Sequence, residues 1–241
     1  MTVISKENRY LSLKLATLFI SSVVLSQQAF AYEPSHSGGI SIGTMELGIS
    51  ASNTTQLHLI RGDSIQWRTA VSGFDADDEF SVSIAGTDYD ATDYSRYSIK
   101  GGIDWYPIQS SGWGNDVFLS GGLIYQNYSA NYSANNKKAY TIGSTTVNPG
   151  DLDSFTADVK RSEIVPYVSL GWGNKIEKTP GFDFSAEVGV IFSSDDPKVK
   201  LKAQGSNNNV TASDLTKEKQ SIKDDLGGAF AFASLTVAYH F

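Results

Sequence analysis

Six charged side chains lie on the polar faces of segments in which apolar and polar residues alternate. If these segments enclose an interior, the charged groups can interact across it. On facing walls, such groups form buried ion pairs. They can also line a constriction that selects small zwitterions or cations. The two interpretations do not exclude each other, so both stay open for these predicted lumen residues. They are Glu46, Arg68, Arg96, Lys100, Glu163 and Glu187.

Few other chemistries are available to this sequence. It contains no cysteine, which excludes thiol nucleophiles and cysteine-ligated metals. Its three histidines are His36, expected to precede the folded part, His58, expected near a short turn, and His240, expected at the far end of the last strand. No P-loop or dinucleotide fingerprint occurs, and a formal charge of −7 argues against nucleic-acid binding. We therefore predict neither an enzyme, a metal site nor a cofactor.

An acidic segment lies between Arg68 and Arg96, two of these charged positions. Seven carboxylates precede Arg96 without an intervening base: Asp75, Asp77, Asp78, Glu79, Asp88, Asp90 and Asp93. The segment lacks the glycine and the terminal glutamate of a calcium-binding loop. We interpret it as a solvated surface, with attraction of cations as the alternative.

The N-terminus is predicted to be a signal peptide. Basic residues precede an uncharged run of 11 residues, 15–25, which is shorter than the roughly 20 residues of a membrane-spanning helix. The triplet Ala29-Phe30-Ala31 has the small-x-small form of a cleavage site. We expect residues 1–31 to be removed after Ala31, which leaves 32–241 as one folded domain.

Strict alternation of apolar and polar residues predicts strands along the remaining chain. The clearest segment is 182–193, where apolar residues such as Phe184 and Val188 alternate with polar ones such as Glu187. Four further segments alternate in the same way, 64–74, 93–105, 159–173 and 229–241, and 115–130 does so less cleanly, because Phe118 and Ile124 fall on its polar face. If both termini lie on one side of a membrane, two more strands must precede residue 64. We place them at Ile40–Ile49 and Thr54–Ile60, with a turn at Ser50–Asn53.

The connections alternate in length, and this favours a barrel over a soluble sandwich. Short ones near Arg61–Asp63, 106–114 and 173–181 alternate with long ones at 75–92, 131–158 and 194–228. All four tryptophans fall beside the short connections, and Tyr125, Tyr128 and Phe192 lie towards the other rim. We predict an all-β fold: an eight-stranded antiparallel up-and-down transmembrane β-barrel with short periplasmic turns and long extracellular loops.

Two local signals complete the prediction. Thr211 and Asp214 have capping-box spacing and Gly227 follows as a stop, so 211–226 is predicted to form a short helix within a loop. The last strand ends on an aromatic residue, Phe241, which is the form of C-terminal signal that the barrel-assembly machinery reads.

The order of motifs over residues 160–241 resembles that of the small CarO-type, OmpW-like outer-membrane proteins. These motifs are Pro166-Tyr167 with Leu170-Gly171, Glu187 with Gly189, Pro197–Leu201, and Asp224-Asp225. The resemblance implies an eight-stranded barrel in the bacterial outer membrane, associated with carbapenem susceptibility and with uptake of basic amino acids.

Two functions follow as hypotheses. The first is a narrow channel for small solutes, with basic amino acids as the solute class that the resemblance implies. The second is a plugged structural barrel that acts through its surface loops. In either case the expected partners are outer-membrane lipid, lipopolysaccharide and the barrel-assembly machinery.

Overall fold

The computed structural model describes residues 36–44, 46–55, 64–76, 80–108, 112–176, 180–205 and 209–241. For 46–55 the description covers the backbone alone. The predicted signal peptide, His58 and the turn at Arg61–Asp63 lie outside the described residues.

Within these ranges the chain forms twelve strands and one α-helix, where the sequence predicted eight strands. The strands are β1 (His36–Gly43), β2 (Glu46–Thr55), β3 (Ser64–Ala76), β4 (Phe80–Ile84), β5 (Thr87–Tyr106), β6 (Val117–Ala134), β7 (Tyr140–Ile142), β8 (Thr145–Val147), β9 (Ser154–Trp172), β10 (Gly181–Phe192), β11 (Lys198–Gln204) and β12 (Ala229–His240). The helix is α1 (Ala212–Asp225). No helix in the described part of the chain is long and apolar enough to cross a membrane.

Eight of the strands pair antiparallel in a ring. Their order is β12-β1-β2-β3-β5-β6-β9-β10, and the ring closes because β10 pairs with both β9 and β12. We call the end at which β12 finishes the lower end. There, two backbone hydrogen bonds of 3.2 and 2.9 Å join His36 to Phe241. His36 is thus the first residue of β1. The expectation that it precedes the folded part is wrong.

The alternating sequence gives the ring two faces. Successive side chains of a strand point to opposite sides of the sheet, so every second residue faces inward. In β10, Phe182, Phe184 and Val188 point outward and are mostly exposed, whereas Ser185 and Glu187 point inward and are buried. The ring therefore presents an apolar outer surface, and its interior combines polar and charged side chains with a small apolar cluster of Ile124, Val165, Ile191 and Phe232.

Above the ring the chain forms a second folded region, which we call the cap: β4, β7, β8, β11 and α1 with the upper parts of β5, β6 and β9. The expectation that 75–92, 131–158 and 194–228 are loops is therefore wrong for much of their length. β5, β6 and β9 have 20, 18 and 19 residues, about twice the length that crossing a bilayer requires. Their upper parts enclose an apolar core that includes Tyr89, Tyr132, Phe155, Val159, Val199 and Ile222.

A β-bulge in β5 marks the transition between ring and cap. The pairing of β5 with β6 shifts between Ala91 and Asp93. Below the shift the inward-facing residues have even numbers, such as Ser98 and Lys100, and above it they have odd numbers, such as Tyr89. The bulge thus reverses which residues of the segment face the interior. In the acidic segment, Asp88 and Asp93 are exposed on β5, and 77–79 lies outside the described residues.

The predicted helix is confirmed. α1 begins after Thr211, whose hydroxyl accepts a hydrogen bond from Asp214 N (3.2 Å), while the Asp214 carboxylate accepts one from Thr211 N (3.1 Å). This reciprocal capping box satisfies backbone donors that would otherwise be unpaired at the first turn. The helix packs its buried Ile222 into the core of the cap.

β1 ends at Gly43 and β2 runs over Glu46–Thr55, so the prediction of a turn at Ser50–Asn53 is wrong. Contacts with β12 determine where β1 ends: Thr44 N donates to Ala233 O (2.9 Å), and Ala233 N donates to Thr44 Oγ1 (3.2 Å). A side chain on Gly43 would collide with the same carbonyl oxygen. Tyr128, which the sequence analysis placed towards the other rim, points to the inner face of the sheet, where its ring packs against Tyr94.

Candidate functional site

Glu187 lies at the centre of an ion-pair network inside the ring. It projects from β10 towards two cations of the facing wall, Arg68 on β3 and Lys100 on β5. Arg68 Nη1 lies 2.9 Å from Glu187 Oε2, and Lys100 Nζ lies 2.7 Å from Oε1. All three residues are at most 6% exposed. One carboxylate therefore connects both cations across the interior.

Asp104, which the sequence analysis did not select, is a fourth member of this network. Arg68 Nη2 lies 3.1 Å from Asp104 Oδ1, and Asp104 is fully buried. Asp104 shares the inward parity of Lys100, four residues earlier on β5. This shared parity is the sequence signal that could have identified Asp104 as an interior residue. With Asp104 included, two carboxylates balance two cations.

Aromatic rings surround the two cations. Lys100 Nζ lies 4.4 Å from the ring centroid of Tyr167 and 4.9 Å from that of Phe232. Arg68 Cζ lies 5.4 Å from the ring centroid of Phe118. Aromatic faces attract cations most strongly where water is excluded. These contacts add to the ion pairs and hold both cations in place.

A second polar cluster lies nearer the cap and contains two more of the predicted lumen residues. Arg96 Nη2 donates to Gln126 Oε1 (2.8 Å), and Gln126 Nε2 donates to Glu163 Oε1 (2.7 Å). Arg161 Nε lies 3.4 Å from the same Glu163 oxygen. Gln126 thus links Arg96 to Glu163 without a direct ion pair between them.

The six predicted lumen residues are therefore distributed over two levels. Arg68, Lys100 and Glu187 meet in the central network, and Arg96 and Glu163 belong to the cluster above it. The backbone of Glu46 pairs with Gly43, but its side chain lies outside the described part. Asp104, Gln126 and Arg161 join these clusters in addition to the predicted set.

The interior of the ring is tightly filled. A side chain on Gly102 would collide with Tyr167, and one on Gly171 would collide with the Phe118 ring. Between the two clusters lies a cavity of about 20 Å³, lined in part by Arg96, Lys100 and Phe232. This volume is enough for about one water molecule.

The lower end of the interior is closed by hydrogen bonds. Gln66 Nε2 donates to the Tyr106 hydroxyl (3.0 Å) and to Asn174 O (2.8 Å). The Tyr106 hydroxyl in turn donates to Gly173 O (3.1 Å). The connection after β9 is thereby held across the base of the ring.

No metal centre is evident in the ranges that the structure describes, since no three His, Asp or Glu residues there are grouped to bind an ion. The arrangement instead consists of paired charges and hydrogen-bonded amides and hydroxyls. Its chemistry is that of holding, attracting or excluding small charged groups.

Comparisons with known proteins identify the fold. No protein-family model and no curated protein matches the chain. Among solved structures, Acinetobacter baumannii CarO matches with a TM-score of 0.60 and 18% identity over 86% of this chain and 98% of its own. Acinetobacter baumannii CarO2 matches with a TM-score of 0.61 and 20% identity over 87% and 99%. The predicted resemblance to CarO-type proteins is confirmed at the level of the fold.

Proposed function

We propose that this chain, which has the fold of CarO, is an outer-membrane protein whose eight-stranded ring is a transmembrane β-barrel. The support is the apolar outer surface of the ring, where large side chains such as Ile40, Leu123, Ile164 and Phe184 are more than half exposed. An apolar surface of this extent is unfavourable in water and favourable in lipid.

Aromatic residues at both edges of this surface support a position in the bilayer. Trp67, Trp113 and Trp172 are exposed at the lower end. At the upper edge, the Tyr125 hydroxyl forms hydrogen bonds with those of Tyr97 (3.3 Å) and Ser162 (3.2 Å). From Trp172 to Ile164, β9 rises about 20 Å if it is tilted by about 40°. This height is close to the ~25 Å apolar band of outer-membrane barrels.

For the interior, we propose a narrow channel that passes small solutes when the central network rearranges. The observation that carries this proposal is the pairing of one carboxylate, Glu187, with two cations of the facing wall. Separating Glu187 from Arg68 and Lys100 opens a passage lined by both signs of charge. Such a lining fits small zwitterions and basic amino acids, whose cationic groups are attracted by Glu187 and Asp104.

Two buried polar atoms also support a hydrated passage. Arg68 Nε and Asp104 Oδ2 have no hydrogen-bond partner among the described residues. Buried polar groups in this situation generally bind water. A donor and an acceptor are thus available to water or solute within the central network.

A plugged structural barrel is the second candidate function, and the small cavity favours it. A space of about 20 Å³ passes no solute unless side chains move. The hydrogen bonds of Gln66 and Tyr106 close the lower end as well. In this alternative the ion pairs stabilise the barrel and the cap carries the interactions with other molecules.

Single-channel recording of the refolded mature protein distinguishes the two functions. The test compares the wild type with Glu187→Gln, which keeps the volume and removes the charge, and with Asp224→Asn on the exposed face of α1 as a control that also removes one carboxylate. A channel predicts a current whose conductance changes and whose cation preference falls in Glu187→Gln, but not in Asp224→Asn. Absence of current in all three proteins, with Glu187→Gln less stable, contradicts the channel and supports the plugged barrel.

A further inference from the structure

Strand β11 carries lysines on one face only. Lys198, Lys200 and Lys202 are exposed, whereas Val199 between them is buried in the core of the cap. β11 pairs with β9 so that Lys198 lies opposite Lys160. Paired residues of neighbouring strands project on the same side of the sheet. The four residues, which we call the lysine ladder, therefore share the outer face of the cap.

The ladder has more positive charge than its surroundings neutralise. Lys160 Nζ lies 3.7 Å from Asp158 Oδ1. In the described part of the chain, Lys198, Lys200 and Lys202 form no salt bridge. The chain as a whole carries a formal charge of −7, so this face differs in sign from the rest of the protein. An anionic partner is the complement of such a face.

The position of the ladder indicates which anion it meets. Lys160 shares the outward face of β9 with Ile164, Val168 and Leu170 of the apolar band. Four residues of strand separate Lys160 from Ile164, or about 10 Å in height at a tilt of about 40°. If the band lies in the membrane, Lys160 and Lys198 stand just above it, at the level of lipid headgroups. Lys200 and Lys202 continue upward from there.

Protection of a strand edge explains part of this pattern but not all of it. β11 is the last strand of its sheet, and lysines on an exposed edge prevent pairing with another chain. Lys160, however, is on β9, which at this point is paired with β6 on one side and β11 on the other. A lysine there protects no edge, yet it aligns with the other three.

We propose that the lysine ladder binds the phosphate groups of lipopolysaccharide molecules surrounding the barrel in the outer leaflet. This inference rests on the proposed outer-membrane location. Lys160 and Lys198 meet the phosphates at the headgroup level, and Lys200 and Lys202 meet the phosphates of the sugar core above them. The acyl chains of the same lipid lie against Ile164 and Val168.

The test measures binding of fluorescent lipopolysaccharide to the refolded mature protein in detergent micelles. Lys198→Gln/Lys200→Gln/Lys202→Gln is compared with Lys137→Gln/Lys138→Gln/Lys219→Gln, which removes the same charge from other exposed parts of the cap. We expect the ladder variant to bind on the order of 100-fold more weakly, given the contribution of each lysine near an anionic surface. The control triple remains within about threefold of the wild type. Dephosphorylated lipopolysaccharide binds all three proteins equally, and added salt weakens wild-type binding.

Two results would contradict phosphate binding by the lysine ladder. The first is that both triple variants lose the same affinity, and the second is that the wild type binds phosphorylated and dephosphorylated lipid equally well. Heat-dependent gel migration of the same samples tests the barrel separately. If the wild type changes its migration on heating but does not prefer phosphorylated lipid, only the lysine ladder is refuted. If the wild type migrates identically with and without heating, the membrane location is refuted. If the glutamine variant self-associates, Lys198→Arg/Lys200→Arg/Lys202→Arg keeps the charge and must retain binding.

Discussion

Below Ser162, most inward side chains of β9 are charged or hydroxyl-bearing, with Val165 as an apolar exception, and the outward ones are mainly apolar; above Arg161 the same strand does the reverse. Glu163 and Ser169 face the interior of the ring, opposite in direction to Ile164 and Leu170. In the cap, the buried inward residues are Phe155, Ala157 and Val159, and the outward ones are Thr156, Asp158 and Lys160. The parity of the strand is continuous, and only the polarity of its two faces changes.

With the membrane location proposed above, this difference matches each half of the strand to a different surrounding medium. If the ring lies in lipid, its outside must be apolar, and its polar groups must find partners within. The cap projects into water and needs an apolar core of its own to fold. One strand satisfies both conditions by exchanging its faces at the level of Ser162.

The strongest test of the comparison concerns the interior of the ring. Glu187→Gln leaves Arg68 and Lys100 buried without their shared carboxylate, so we expect a loss of about 3–5 kcal/mol in the free energy of unfolding. Urea titration in lipid vesicles measures it. Lys100→Met keeps the Arg68–Glu187 pair and should cost less. A loss below about 1 kcal/mol for Glu187→Gln would mean that ion pairing does not stabilise the ring.

The corresponding test in the cap is Phe155→Ala. The Phe155 ring is fully buried and lies 6.3 Å from both the Tyr89 and the Tyr140 ring centroids. Its loss should destabilise the cap by about 3–5 kcal/mol and leave the ring intact. Limited proteolysis should then cleave the cap while the barrel remains protected. Thr156→Ala, on the opposite face, is the control. Cleavage throughout the ring would mean that the two regions unfold as one.

Val188→Arg tests the outer face of the ring. Val188 is 57% exposed on β10, and we expect a cost of about 2–4 kcal/mol if it faces the middle of a bilayer. Ala229→Arg, at the upper end of β12, should cost at most about 1 kcal/mol. Unfolding in lipid vesicles measures both. Equal and small losses would mean that this face meets water, as the outer face of the cap does.

The smallest expected effect is the response of the cap to acid. The Thr211 hydroxyl donates to the Asp214 carboxylate (2.6 Å) and holds the pKa of Asp214 below its ordinary value of about 3.9. Since the folded-state pKa is lowered, the stabilisation is complete above about pH 4 and is lost as the pH falls below it. The protection factors of the α1 amides against hydrogen exchange, which correct for the intrinsic effect of pH, should therefore fall between pH 5 and pH 3. Asp214→Asn should remove this pH dependence, and Asp224→Asn should not.

The strands of the ring are predictable because an apolar outer face and a largely polar inner face impose alternation on the sequence. The inward parity that identified Arg68, Lys100 and Glu187 also contains Asp104, which the sequence analysis did not select. The cap was interpreted as loops because its faces are exchanged and β5 changes parity at its bulge. The end of β1 depends on contacts of Thr44 with Ala233, nearly 190 residues away, which no local pattern reveals.

The bulge between Ala91 and Asp93 also has a consequence for how this fold tolerates changes in length. Deleting one residue there would restore a single parity along β5, turning Tyr89 towards solvent and placing Asp88 and Asp90 in the apolar core. Inserting one residue at the tip of the β4–β5 hairpin, between Ala85 and Gly86, leaves the pairing of β5 with β6 unchanged. Insertions and deletions in related chains should therefore accumulate at hairpin tips and avoid residues 91–93.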